Sequence, residues 1–234
     1  NVTGTDYTVA QLKTINNATT GAIVLATPTA TLSGTVADIV AAFAVTVTTN
    51  TGAVTITDPD ETDITATDIT TINTAISGAI TVTNAIDING SGSDVATAVG
   101  HLDTLSGTPT ANITGTDYTV AQLKTINDAI GGALVLENSG VNLSGTVAQF
   151  KAAFNETVTT HTGTITISDG ATTDITATDI TAINTASTGA ITVSSAIDIN
   201  GSGSEVAAAF TAIDTNTGNA TAHITGTDYT VAHL

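Results

Sequence analysis

The sequence predicts an α/β solenoid: stacked strand-strand-helix coils of about 24–32 residues, with parallel in-register sheets and short helices along one wall. Three observations lead there. The chain repeats with a period of 111 residues and no gap, so that Asn1-Val-Thr-Gly-Thr-Asp-Tyr-Thr-Val-Ala10 returns from Asn112 and again from His223. Each copy divides further into four segments that share one short signature. Each signature is followed by a helical pattern, a glycine turn and β-branched runs. Copy one is 1–111, copy two is 112–222, and 223–234 starts a third.

The signature is an aliphatic residue, then Thr, Ser or Asn, then Gly or Ala, then Thr or Ser. It begins at Val2, Leu32, Ile64 and Ile88, and in the second copy at Ile113, Leu143, Ile175 and Ile199. The spacings of 30, 32, 24 and 25 residues suit coils whose loops vary in length.

The helical pattern comes next. Val9, Leu12 and Ile15 recur at helical spacing, and Thr8 with Gln11 makes a capping box that satisfies free N–H groups of the first turn. Val36 to Phe43, Ile69 to Ile76 and Val95 to Leu102 read the same way. Helices this short need packing to hold them in water. Strands follow at Gly21 to Leu25, Gly52 to Ile56 and Gly78 to Val82, with a second extended piece such as Ala85 to Ile88 before the next signature. Val45 to Thr49 departs from the pattern and predicts an extra strand or a local hairpin.

Composition narrows the function classes. Apolar residues make up 41% of the chain but aromatics only 3%, with no Trp, Met or Cys, so the core is built from Ile, Val, Leu and Ala. Twenty-one acidic residues face three lysines, giving a net charge of −18. That field repels phosphate backbones and anionic headgroups, which excludes nucleic acid as a partner and attracts divalent cations. No apolar run approaches the ~20 residues that span a bilayer, so no membrane insertion is expected. Neither a signal peptide nor an initiator Met is present, and the chain begins and ends inside the same motif, as a segment of a longer or processed protein does. Absence of cysteine and a surface of Thr, Asn, Ser and Gly fit an extracellular or cell-surface location.

Calcium is the one metal ion the residues suggest. Asp87-Ile-Asn-Gly-Ser-Gly-Ser-Asp94 combines carboxylates, an amide oxygen and glycines that can wrap a hard cation. The candidates are Asp87, Asn89 and Asp94, with Asp198, Asn200 and Glu205 in the second copy. The competing reading is a strand-to-helix turn in which Ser93 caps the helix. The run Asp58 to Asp63 reads as a solvated corner, since its counterpart keeps only the outer pair, Asp169 and Asp174. The Gly-Ser-Gly stretch lacks the third glycine of a dinucleotide fingerprint.

No enzyme is expected. His101 corresponds to Ala212, His161 to Asn50, His223 to Asn1 and Asn112, and His233 to Gln11 and Gln122, so the repeat requires no histidine. No Ser-His-Asp or Cys-His set can be assembled. Tyr7, Tyr118 and Tyr229 are expected to seal coil junctions with their hydroxyls at the solvent edge, and Phe43 and Phe154 to fill the core at helix ends. Alternating threonines such as Thr55-Ile-Thr57 and Thr81-Val-Thr83 project hydroxyls from one strand face, either as ordinary wet β-formers or as an ice- or glycan-binding array.

The recurring Leu-Ser-Gly-Thr-Val-Ala at 32–37 and 143–148, Asp-Tyr-Thr-Val-Ala-Gln-Leu at 6–12 and 117–123, and Thr-Gly-Ala-Ile-Thr-Val at 188–193 carry a resemblance. The chain resembles, over its whole length, the giant repetitive cell-surface and adhesin-like proteins of marine cyanobacteria. That resemblance implies secretion, a surface or matrix location and a mechanical or adhesive role, as a stiff spacer rod or filament subunit. Partners would be further copies of the chain, end to end or side by side, and surface glycans. No functional residue is carried over. Val231 to Leu234 is expected to start a helix with no strand to pack on.

Overall fold

A computed structural model describes residues 1–155, 158–227 and 230. It has an α/β fold in which parallel strands alternate with short helices, arranged in four parallel sheets. The chain divides into two compact units, Asn1–Ile113 with Ala129–Ala133, and Thr114–Asp128 with Leu134–Leu234.

In the first unit the helices are α1 (Val9–Ala18), α2 (Val36–Ala42), α3 (Ala66–Ala75) and α4 (Gly92–Gly100). Each begins where a hydroxyl side chain accepts a free amide of the first turn, from Thr8, Thr35, Thr65 and Ser91 in order. Thr8 and Gln11 form the full capping box that their spacing predicts. α3 and α4 each start three residues ahead of the apolar pattern, at Ala66 and Gly92, because the caps are Thr65 and Ser91 inside the signature. Ser91, not Ser93, is therefore the cap. Successive helices pack on each other, α1 on α2, α2 on α3 and α3 on α4.

One sheet of this unit joins Leu32–Gly34, Val54–Ile56, Ile80–Val82 and Thr104–Leu105. The other joins Asp63–Thr65, Asp87–Gly90 and Thr110–Ile113. Register explains the core. Leu32, Val54 and Ile80 lie side by side, as do Ile64, Ile88 and Ala111, and all are buried. Side chains one residue away face outward, because strand side chains alternate.

Two features depart from coils aligned by signature. The Leu32 signature strand lies in the sheet of Val54–Ile56, away from the Ile64 and Ile88 signatures. The signature residue Ile113 pairs with Gly90, and Ala111 takes the place beside Ile88. That slip is two residues, an even number, so Ile113 still points inward and is fully buried. Val47 forms a parallel bridge with Ile23, so the extra extended segment is present and pairs with its predecessor instead of folding back as a hairpin.

Gly52 and Gly78 allow the closest backbone contact in this unit. A Cβ on Gly52 would lie 2.1 Å from the Ala30 carbonyl oxygen, and one on Gly78 would lie 2.2 Å from the Gly52 oxygen. Only glycine fits there.

The second unit repeats these elements. Its helices are α5 (Val120–Ala129), α6 (Val147–Ala153), α7 (Ala177–Ala186) and α8 (Gly203–Ala212). One sheet joins Leu143–Gly145, Ile165–Ile167, Ile191–Val193 and Thr215–Asn216, the other Asp174–Thr176, Asp198–Gly201 and Thr221–Ile224. The two-residue slip recurs, with Ile199 beside Ala222 and Gly201 beside Ile224. Tyr229 and Val231 to Leu234 lie outside the described residues.

Candidate functional site

Strand register decides which polar groups meet. On the outer face of one sheet Asp63, Asp87 and Thr110 stand in a row, with Thr65, Asn89 and Asn112 in the next. Asn89 Nδ2 donates to Asp63 Oδ1 at 2.9 Å and to the Asp87 carbonyl oxygen at 3.3 Å. The Thr110 hydroxyl donates to Asp87 Oδ1. The second copy rebuilds this arrangement, Asn200 donating to Asp174 Oδ1 at 3.0 Å and Thr221 to Asp198 Oδ1.

Asp94 takes another role. Its amide donates to Ser91 Oγ at 3.1 Å, and that hydroxyl donates to Asp94 Oδ2 at 2.8 Å. Glu205 is longer and reaches the Ser202 backbone N–H at 2.8 Å, closing a capping box. Those bonds hold its carboxyl below the usual glutamate range, the backbone N–H contributing most. The structure thus brings Asp87 and Asn89 together with Asp63, and Asp198 and Asn200 together with Asp174, while Asp94 and Glu205 serve helix starts. Asp63 and Asp174 are the partners that linear reading of the glycine-rich stretch missed. Aligning Asp63-Ile-Thr65 under Asp87-Ile-Asn89 exposes them. Among the described residues no group of three His, Cys, Asp or Glu side chains is placed to hold a metal ion.

The acidic corner differs from its expected solvated form. Asp58 is only 6% exposed, and its Oδ2 accepts the Val36 N–H, at the first residue of α2, at 2.7 Å. Asp169 repeats this on Val147 at 2.8 Å. The outer acids retained in both copies are therefore a helix-start acceptor and a sheet rung. Between them Asp60 Oδ1 accepts the Ala85 N–H at 2.8 Å, and Glu61 takes a positive φ of 60°, as Thr172 does in the second copy.

Tyr7 also departs from expectation. It is buried, and its hydroxyl donates to Asn50 Oδ1 at 2.8 Å instead of reaching solvent. Tyr118 donates to the Asn138 carbonyl oxygen at 2.6 Å. Burial raises both phenols above their ordinary value. Phe43 and Phe154 are half-buried at the ends of α2 and α6, whereas Phe150 is fully buried.

All three lysines are in ion pairs: Lys13 with Asp38 at 2.5 Å, Lys151 with Asp179 at 2.7 Å, and Lys124 with Asp128. Lys13 lowers the Asp38 carboxyl, by hydrogen bond first and by charge second. Open grooves line the surface of the described residues. One, of about 480 Å³, runs past Val147, Lys151, Asp169 and Asp179, and another, of about 500 Å³, past Val2, Tyr7, Ala10 and Ile15.

No protein-family model, no curated protein and no solved structure matches this chain. The chemistry is therefore read from the side chains themselves. Asp38, Asp58, Asp63, Asp87 and Asp179 and the second-copy equivalents Asp169, Asp174 and Asp198 accept hydrogen bonds or ion pairs from neighbouring strands and helices, while Asp94, Glu205 and Asp128 serve contacts within their own helix or its start.

Proposed function

We propose that this chain is a structural repeat segment of a secreted cell-surface or extracellular-matrix protein. Its coils stack as a solenoid, making a stiff adhesive or spacer rod or a filament subunit without a catalytic step. The observation that carries this reading is the strand register. Equivalent residues of successive segments lie beside each other, Asp63 by Asp87 and Ile64 by Ile88, so the same pairing can be continued by adding copies. The resemblance to giant repetitive surface proteins, the acidity of both copies and the absence of cysteine agree with it.

Further copies of the chain are the partners in this reading. Residues 6–16 and 117–127 are identical, yet Ile15 is 37% exposed whereas Ile126 is fully buried. Ile15 leaves an apolar position of α1 uncovered, which suits packing against a further copy. Calcium belongs to the same proposal as a stiffening ion, with Asp87 and Asn89, and Asp198 and Asn200 in the second copy, as its candidate ligands. Electron microscopy of the native material in seawater-like salt tests the reading. Rods or filaments support it, and isolated globular particles oppose it.

A second reading is an ice- or glycan-binding face. Ser33, Thr55, Thr81 and Thr104 stand in one hydrogen-bonded row, and their hydroxyls have no hydrogen-bond partner among the described residues. Ser144, Thr166, Thr192 and Thr215 repeat the row. Ice-crystal shaping that is lost on replacing Thr55 and Thr81 by lysine would favour this reading over the first.

A further inference from the structure

Asn50 and His161 occupy the same place in the two copies, and both are fully buried. The backbone around them is held alike. The Asn50 N–H donates to the Ala75 oxygen at 3.1 Å, and the Ser77 N–H to the Asn50 oxygen at 2.8 Å. In the second unit the His161 N–H donates to the Ala186 oxygen at 3.1 Å, and the Thr188 N–H to the His161 oxygen at 2.8 Å. Each residue bridges to the start of the next strand segment, Asn50 to Ile76 and His161 to Ser187.

The side chains solve the joint differently. Asn50 Nδ2 donates to the carbonyls of Ala30 at 2.9 Å and Gly52 at 3.1 Å, while its Oδ1 accepts from Tyr7. That set is complete and neutral at any pH near physiological. His161 Nε2 lies 2.7 Å from the Val141 carbonyl oxygen. A carbonyl only accepts, so Nε2 carries the ring proton and Nδ1 is bare in the neutral form. Nδ1 faces Ser187 Oγ at 3.3 Å, and that hydroxyl donates to the His161 carbonyl oxygen at 3.0 Å. Ser187 stands where the first copy has Ile76, so the two exchanges, Asn to His and Ile to Ser, occur at one joint.

We propose that His161 and Ser187 form an acid-operated weak joint in the second unit. A proton taken up at Nδ1 places a cation without a counter-ion inside the fold, and the bridge between 161 and 187 opens while the Asn50–Ile76 joint stays closed. This goes beyond the structural reading above and does not depend on it.

The surroundings of the ring support the inference. The Phe154 ring lies 5.8 Å away, centre to centre, on the side of α6. Lys151 of α6 and Asp179 of α7 are paired with each other, and Glu137, on the segment leading to Val141, is exposed. Tyr118, the counterpart of Tyr7, turns its hydroxyl to Asn138 and stays neutral in acid. Among the described residues no carboxylate forms an ion pair with the ring. A buried charge that is not paired is strongly disfavoured. Burial accordingly lowers the imidazole below its usual 6.5, against a smaller raising effect from Val141. Since the folded value lies below the unfolded one, this contribution to stability is whole above the unfolded value and is lost as pH falls toward the folded one.

Amide hydrogen exchange on the full chain tests the proposal with an internal control. Between about pH 7 and about pH 5 the protection factors of the His161 and Thr188 amides should fall, roughly tenfold for each pH unit separating the two titration midpoints. Those of Asn50 and Ser77 should fall less. The double variant His161→Asn with Ser187→Ile installs the joint of the first unit and should abolish the difference. NMR titration of the His161 ring checks the same claim without a variant, with a midpoint below 6.5 expected. Equal loss of protection at both joints, or a ring that titrates at or above 6.5, overturns the proposal.

Discussion

Asn89 donates its side-chain amide to the carboxylate of Asp63 on the preceding strand at 2.9 Å, and Asn200 does the same to Asp174 at 3.0 Å. The residues of each pair are 26 positions apart, so the bond links one segment to the next. Asp87 stands beside Asp63 in the same row, so the neutral amide of Asn89 brings a donor, and no further charge, next to a pair of carboxylates.

Asn89→Asp should therefore destabilise the first unit by about 0.5–1 kcal/mol at neutral pH, the usual cost of like charges across neighbouring strands. Urea denaturation at neutral and acidic pH reads the effect. The deficit should shrink once the carboxylates are protonated, and a deficit that persists in acid would point to lost packing instead.

Gly78→Ala should be costly, because its Cβ would meet the Gly52 carbonyl oxygen at 2.2 Å and backbone cannot yield as a side chain can. A loss of about 2–3 kcal/mol is expected from overpacking of this kind. Gly100→Ala is the control. Nothing lies within 4 Å of that Cβ, so chemical denaturation should show no loss of stability.

Asp58→Ala removes the buried acceptor of the Val36 N–H at the start of α2. Leaving that amide unsatisfied should cost about 1–3 kcal/mol, measured by equilibrium unfolding. Asp58→Asn keeps an acceptor oxygen and should recover most of the loss.

Glu205 links helix α8 to acid. Its folded carboxyl is lowered, so its stabilising effect is present above the unfolded value and lost as pH falls through the folded one. Glu205→Gln keeps an acceptor for the Ser202 N–H. The protection factors of amides in the first turn of α8 should then become independent of acid, and an unchanged acid response would remove Glu205 as its cause.

Calcium offers a separate check. A stiffening ion held by Asp87 and Asp198 should raise the melting temperature at millimolar calcium, and the combined Asp87→Asn and Asp198→Asn exchange should abolish that rise. An unchanged melting temperature in the native chain would leave the two rows as hydrogen-bonded joints alone.

Local chemistry was legible in the sequence where neighbours in the chain are also partners. Thr8 and Gln11 are three apart, and their capping box forms as read. The strands Val54–Ile56 and Ile80–Val82 follow their glycine turns for the same reason. Register was not legible, because the signature repeats at Ile113 while the hydrogen bonds align Ala111 with Ile88. Partners set by register were missed with it: Asp63 for Asn89, and Asn50 for Tyr7 across 43 residues. Asp58 looked solvated since nothing in the chain near it announces the Val36 amide it meets.

The most direct test of stacked coils is how length grows with copy number. Small-angle X-ray scattering on chains carrying increasing numbers of the 111-residue copy reads the longest dimension. Four stacked coils per copy predict a linear increase of roughly 20 Å for each copy at constant cross-section, from strands ~4.8 Å apart. A cross-section that swells while the length stays nearly fixed, or a length that scatters as a flexible string of separate units would, contradicts the solenoid.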